Sequence, residues 1–172
     1  ASPVSDDWAD APFTKPFPPA SEVEAEDEGF VSAPPWIPDN PPSPPEGFVY
    51  IAGPYRPKSG VHDVFAYDAI DGNIRRARGV AKFLALHDIP FFCPHLNSAH
   101  FEVDAPNVPS EFWLRMDMAI LRHAKAVLLV EGWGKSRGVQ AEIKAAAIWG
   151  IPVYLSHCAG LLVADWRGGA IQ

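Results

Sequence analysis

The sequence predicts an α/β domain in which a compact parallel sheet carries helices on both faces. Three observations predict it. Short apolar runs recur through residues 48 to 155, amphipathic stretches of helical period separate them, and glycine- or proline-bearing loops punctuate the pattern. The order is β-α-β-α-β-α-β, and in such a sheet ligands bind beyond the C-terminal ends of the strands.

Each element has its own warrant. Phe48-Val49-Tyr50-Ile51-Ala52 is an apolar run stopped by Gly53-Pro54, which reads as a buried strand. From Asn73 to about His87, Arg75, Arg76, Arg78 and Lys82 interleave with Ile74, Ala77, Val80, Ala81 and Leu84, a covering helix with a basic outer side. Ile89-Pro90-Phe91-Phe92-Cys93 is the next strand. After a loop containing His95, Asn97 and His100, Ser110-Glu111 is placed to cap a helix running to about His123. Lys125-Ala126-Val127-Leu128-Leu129-Val130 is the clearest strand of the chain. The loop Glu131-Gly132-Trp133-Gly134-Lys135-Ser136 leads into a helix from Arg137 to about Trp149, and Ile151-Pro152-Val153-Tyr154-Leu155 closes the pattern. The loops at 53 to 60, 94 to 109 and 131 to 137 all leave from the binding edge. Residues 156 to 172, short and Gly-rich, receive no element and read as a tail free to cross to a partner subunit.

A different segment precedes this domain. Residues 1 to 47 hold 12 of the 19 prolines and ten acidic residues against one base, Lys15, so the acidity behind the net charge of -7 belongs to a Pro-rich arm and residues 48 to 172 are nearly balanced. Runs such as Asn40-Pro41-Pro42-Ser43-Pro44-Pro45 exclude a helix or central strand there. The arm reads as a solvated acidic tail around Glu22 to Glu28, or as a segment anchored on its own domain or a neighbouring subunit through Trp8, Phe13, Phe17, Phe30 and Trp36. A PxxP-type ligand for another protein is a third reading.

Composition also excludes function classes. A pI near 5.3 argues against non-specific binding through a basic surface, and no nucleic-acid polymer is expected as a partner. No run approaches the roughly 20 apolar residues of a membrane span, and the N-terminus lacks a secretory signal pattern. The expectation is a cytoplasmic protein without a membrane partner. Cys93 and Cys158 form no CxxC pair, which excludes a disulfide scaffold and a cysteine-rich zinc site, and His95 and His100 lack a third zinc ligand. No metal is expected.

Two carboxylates lie on the wrong sides of their helices. On a helical projection, Phe112, Trp113, Leu114, Met116, Ile120, Leu121 and Ala124 share an arc opposite Arg115 and Arg122, and Asp117 falls inside that apolar arc. In the next helix Val139, Ala141, Ile143, Ala145, Ala146, Ile148 and Trp149 gather on one side, and Glu142 falls among them. A carboxylate on a core-facing side is costly unless it is paired, hydrogen-bonded or facing a cleft. Structural ion pairs or helix-end contacts are the plain alternatives for each alone.

Glycine loops flank these carboxylates. Gly132, Gly134 and Gly138 let backbone approach a ligand, and Ser136 with the free N–H groups of a helix start makes an anion site. Neither GxxxxGK[ST] nor GxGxxG occurs, so an ATPase or nicotinamide dehydrogenase is poorly supported. Gly53-Pro54-Tyr55-Arg56 is a second loop of this kind, offering a phenol and a guanidinium to sugar and phosphate.

These residues resemble the nucleoside 2-deoxyribosyltransferase-like family, which includes the 2'-deoxynucleoside 5'-phosphate N-hydrolases. The resemblance covers roughly residues 48 to 155 and rests on Tyr50-Ile51-Ala52-Gly53-Pro54-Tyr55, on Asp117 within Arg115-Met116-Asp117-Met118-Ala119-Ile120-Leu121, and on Ser136-x-Gly138-x-x-x-Glu142. It implies a flavodoxin-like or Rossmann-like fold, a homodimer or higher homo-oligomer, and no cofactor. Glu142 matches the family's nucleophile, Asp117 the aspartate that assists departure of the base, and Gly53, Ser136 and Gly138 the positions lining sugar and 5'-phosphate. Arg56 lies where the hydrolases carry a phosphate-contacting arginine, and Tyr50 or Tyr55 stands for the strand-end tyrosine. Tyr55 is the one expected in catalysis, Tyr50 and His95 in substrate binding.

The function so implied is cleavage of the N-glycosidic bond of a deoxynucleoside or (deoxy)nucleoside 5'-monophosphate, as hydrolase or base-exchanging transferase. Several transferases carry a further aspartate before the nucleophile helix, and here the nearest acid is Glu131, so the group that reads the base stays open. The alternative is a non-catalytic nucleotide-binding module whose arm docks a protein partner.

Overall fold

A computed structural model describes residues 46–57 and 64–171. The chain divides into two units, Ala1–Ser43 and Pro44–Gln172, and the described residues belong to the second. The readings of the arm lie outside the described residues.

Four strands form one parallel sheet in the order β2-β1-β3-β4: β1 (Val49–Ala52), β2 (Phe91–Phe92), β3 (Ala126–Leu129) and β4 (Val153–Leu155). β1 and β3 are the central pair, and all eight of their residues are buried. Strands covered on both faces read as unbroken apolar runs, which is why these two stand out in the sequence. Alternation then divides the core. Val49, Ile51, Ala126 and Leu128 face α1 (Val64–Leu86) and α6 (Ala159–Arg167), whereas Tyr50, Ala52, Val127 and Leu129 face α4 (Ser110–Leu121) and α5 (Arg137–Ile148). The arrangement is α/β with helices on both sides of a parallel sheet, of the general Rossmann or flavodoxin-like kind.

Two helix stops share one chemistry. After α1, Asp88 has φ 58°, and Ile89 N–H returns to the Leu84 carbonyl at 3.0 Å; after α5, Gly150 has φ 70°, and Ile151 N–H returns to the Ala146 carbonyl at 2.9 Å. Each is a left-handed cap followed by a buried isoleucine and a proline, which ends the helix and aims the chain into the next strand.

Three expectations are corrected. α1 begins at Val64, not Asn73: Ile70 extends the buried stripe a full turn earlier, and Asn73 is inside the helix with its amide bonded to the Tyr55 carbonyl at 2.7 Å. Ser110 is the first residue of α4 and makes no cap, because Pro109 holds the cap position. The tail contains α6, whose Ala159, Leu162 and Val163 close the core on the α1 side. A stripe of three residues among glycines is too short a periodicity to read.

The loop between β2 and α4 also carries two single turns, α2 (Pro94–Asn97) and α3 (Phe101–Asp104). They stand at the C-terminal edge of the sheet. No helix among the described residues is long and apolar enough to cross a membrane.

Candidate active site

A cavity of about 560 Å³ opens at that edge, and all three loops predicted to leave it contribute walls. Gly53 to Pro57 follow β1, His95 to Glu102 follow β2, and Lys135 to Val139 follow β3. α4 and α5 supply Asp117 and Glu142.

Glu142 sits in the second turn of α5 on the side facing β1, and it is 7% exposed. Beneath it Tyr50, fully buried, donates its hydroxyl to Glu142 Oε1 at 2.7 Å. Burial pushes the Glu142 carboxyl up to about 7, the Asp117 charge adds to the rise, and the Tyr50 hydrogen bond opposes it. Desolvation likewise pushes Asp117 up to about 6, and its Oδ1 is buried without a hydrogen-bond partner among the described residues. Burial and the two carboxylates together drive the Tyr50 phenol far upward, so it stays a donor. Among the described residues neither carboxylate has a structural ion pair, one of the plain readings.

α4 explains how Asp117 reaches the cavity. Its first turns stand at the sheet edge, so Phe112 and Leu114 are exposed despite lying in the predicted core-facing arc, and of its residues only Leu121 is fully buried. Trp113, Leu114 and Asp117 line the cavity instead.

The remaining predicted site residues divide between cavity wall and support. Ser136 caps α5 by accepting from Val139 N–H at 3.4 Å, and the start of the helix, Lys135 to Val139, lines the cavity with the Arg137 and Gly138 N–H groups outside the intrahelical ladder. Gly138 lines the same wall, and a Cβ there would meet only Ser136 Oγ at 3.8 Å, so packing does not demand a glycine. Gly53 differs, because a Cβ would fall 2.9 Å from Val130 Cβ. Arg56 is exposed at the mouth. His95 lines the cavity and is 5% exposed, with Nε2 3.0 Å from the Pro54 carbonyl and Nδ1 buried without a partner among the described residues. Desolvation lowers its pKa, so it is the neutral ring that donates from Nε2 and braces the β1 loop.

The phenol in contact with Glu142 is that of Tyr50, not Tyr55. Tyr55 lines the cavity, but its hydroxyl donates to both oxygens of Glu102, at 2.9 and 3.1 Å, and accepts from His100 N–H at 2.8 Å. Glu102, a third carboxylate in the wall, has no sequence signal, because α3 is one turn without periodicity. Phe101 and Trp113, edge to face at 5.6 Å between centroids, also line the cavity. No group of three or more His, Cys, Asp or Glu is placed to hold a metal among the described residues.

Residues 47–156 match the family described as a domain of unknown function (DUF7768). No curated protein matches the chain.

Proposed function

The chain belongs to the DUF7768 family, whose description names no chemistry, and we propose its function from the cavity: hydrolysis or base exchange at the N-glycosidic bond of a (deoxy)nucleoside or its 5'-monophosphate. The observation that carries this reading is the pair Glu142 and Asp117, two carboxylates from different helices raised into the neutral range in one cavity. Near neutral pH such a pair shares one proton; the form with Glu142 ionised and Asp117 protonated, the minor of the two one-proton forms, has a nucleophile and a proton donor in place without a metal.

The chemistry follows the geometry. Tyr50 holds Oε1 of Glu142, which leaves Oε2 to form a bond to C1' as the bond from C1' to the base nitrogen breaks. The departing base takes the Asp117 proton and leaves neutral. Asp117, now ionised, accepts a proton from the water or second base that attacks C1', and Glu142 departs as carboxylate. Atoms and charge balance over the two steps. The first turn of α5 with Ser136, Lys135 and Arg137 suits a 5'-phosphate, and Arg56 at the mouth adds to it.

The test is free-base release, followed by chromatography with mass detection, from deoxynucleosides, ribonucleosides and their 5'-monophosphates, with and without a competing base. Release from one substrate class that vanishes in Glu142→Ala supports the reading and separates hydrolysis from exchange. Release that persists in Glu142→Ala overturns the nucleophile, and binding without release moves the function to a nucleotide-binding module.

A further inference from the structure

The cavity has a second acidic wall that the proposed chemistry does not use. Glu102, half-buried on α3, lines the cavity together with Phe101, Trp113 and its hydrogen-bond partner Tyr55. Among the described residues its hydrogen bonds come from one side. The single Tyr55 hydroxyl proton is shared between both carboxylate oxygens, and Tyr55 is itself fixed by the His100 N–H. The His100 ring is turned to Asp71, with Nε2 3.0 Å from Oδ1, and its Nδ1 stands 4.0 Å from Glu102, beyond hydrogen-bond reach.

A carboxylate accepts and does not donate, and about four lone-pair sites are available to it. One shared proton leaves most of them without a partner among the described residues, on a side chain that lines the cavity. The adjacent aromatic pair offers faces and edges suited to a flat ring. A wall of acceptors beside aromatic rings matches a planar heterocycle that presents N–H donors at its edge and rejects one that presents a carbonyl there, since carbonyl and carboxylate oxygens repel.

We propose that Glu102 is a specificity-determining residue that selects amino-bearing bases over their oxo counterparts, with Tyr55 as its positioning residue. This rests on the proposed nucleoside substrate, although base selection by Glu102 is separable from bond cleavage.

The experiment compares matched pairs that carry an amino or an oxo group at the same ring carbon, cytosine with uracil and adenine with hypoxanthine, as 5'-monophosphates. Affinity by calorimetry and kcat/KM for base release are measured in the full chain, in Glu102→Gln, and in Tyr55→Phe, which keeps the ring and removes the hydroxyl. In the wild type the amino member of each pair is preferred by about tenfold or more, the size expected of a hydrogen bond to a charged acceptor. The ratio collapses toward one in Glu102→Gln and shrinks in Tyr55→Phe, while a merely structural role would weaken both members equally. Equal affinity for both members in the wild type, a ratio unchanged in Glu102→Gln, or no binding of any member overturns the proposal. A Glu102-dependent preference in binding with no base release upholds it and defeats the glycosidase reading instead.

Discussion

The Tyr50 hydroxyl donates to Glu142 Oε1 at 2.7 Å, and both side chains are closed to bulk solvent. A carboxyl buried under a helix would be protonated and rotationally loose, and the phenol both fixes its plane and favours its ionised form. One oxygen is held and the other faces the cavity.

Replacing Tyr50 with Phe removes that donor without changing the ring. The Glu142 carboxyl is then held further above its ordinary value, and at pH 8, where it is ionised, an acceptor is left unpaired in the core. A loss of about 1–3 kcal/mol is expected in urea unfolding at pH 8, and a smaller one at pH 5, where the carboxyl is protonated. Equal losses at the two pH values would separate Tyr50 from the ionisation of Glu142.

Raised carboxyl values also set the pH dependence of folding. Glu142 ordinarily titrates near 4.5 and here near 7; Asp117 ordinarily titrates near 3.8 and here near 6. Across these windows the folded chain binds more protons than the unfolded chain, so the two groups lower stability as pH rises from about 4 to 7, with no further change above. Glu142→Gln and Asp117→Asn should each flatten their share of this slope, and the double variant should melt with the least pH dependence over that range. A wild-type melting temperature that rises across the window, with the variants parallel to it, would contradict both shifts.

Activity has a different shape. Cleavage needs the pair to carry one proton: with two, the nucleophile is off, and with none, the donor is absent. The pair titrates between about 6 and 7, so kcat/KM for base release should be bell-shaped with its maximum in that interval. Asp117→Asn should lower the rate by about 10²–10⁴-fold for a poor leaving group and abolish the alkaline limb. Retention of both limbs in Asp117→Asn would assign the proton to another group.

The sequence carried the sheet and both carboxylates because each writes a local pattern. Val49–Ala52 and Ala126–Leu129 are continuous apolar runs, and Asp117 and Glu142 are single violations of helical periodicity. What it did not carry was tertiary. Tyr50 and Tyr55 are five residues apart: the pleat of β1 turns Tyr50 toward α5 and Glu142, while Tyr55, in the loop beyond the strand, reaches α3. Phe112 and Leu114 satisfy the apolar arc of α4 yet are exposed, Leu114 in the cavity wall, because that end of the helix runs past the sheet. Glu102 lies on a single turn and is hydrogen-bonded to Tyr55, 47 residues earlier, and no spacing announces it.

Gly53 and Gly138 both border the cavity and predict opposite results for the same substitution. At Gly53 a Cβ would sit 2.9 Å from Val130 Cβ and 3.0 Å from Cγ2, and Val130 cannot retreat because its N–H is bonded to the Ala52 carbonyl at 2.8 Å. Gly53→Ala should therefore cost about 1–3 kcal/mol by overpacking, and Val130→Ala in the same chain should recover part of that loss. At Gly138 the added methyl meets nothing closer than 3.8 Å and replaces a glycine in the first turn of α5, so Gly138→Ala should be neutral or stabilising by up to about 1 kcal/mol. The same methyl borders the first-turn N–H groups, so affinity for a 5'-monophosphate should fall while affinity for the nucleoside changes less. Urea unfolding and calorimetry on the two variants read both effects. A stable Gly138→Ala chain that binds nucleotide and nucleoside as the wild type does would remove the phosphate from that end of the cavity.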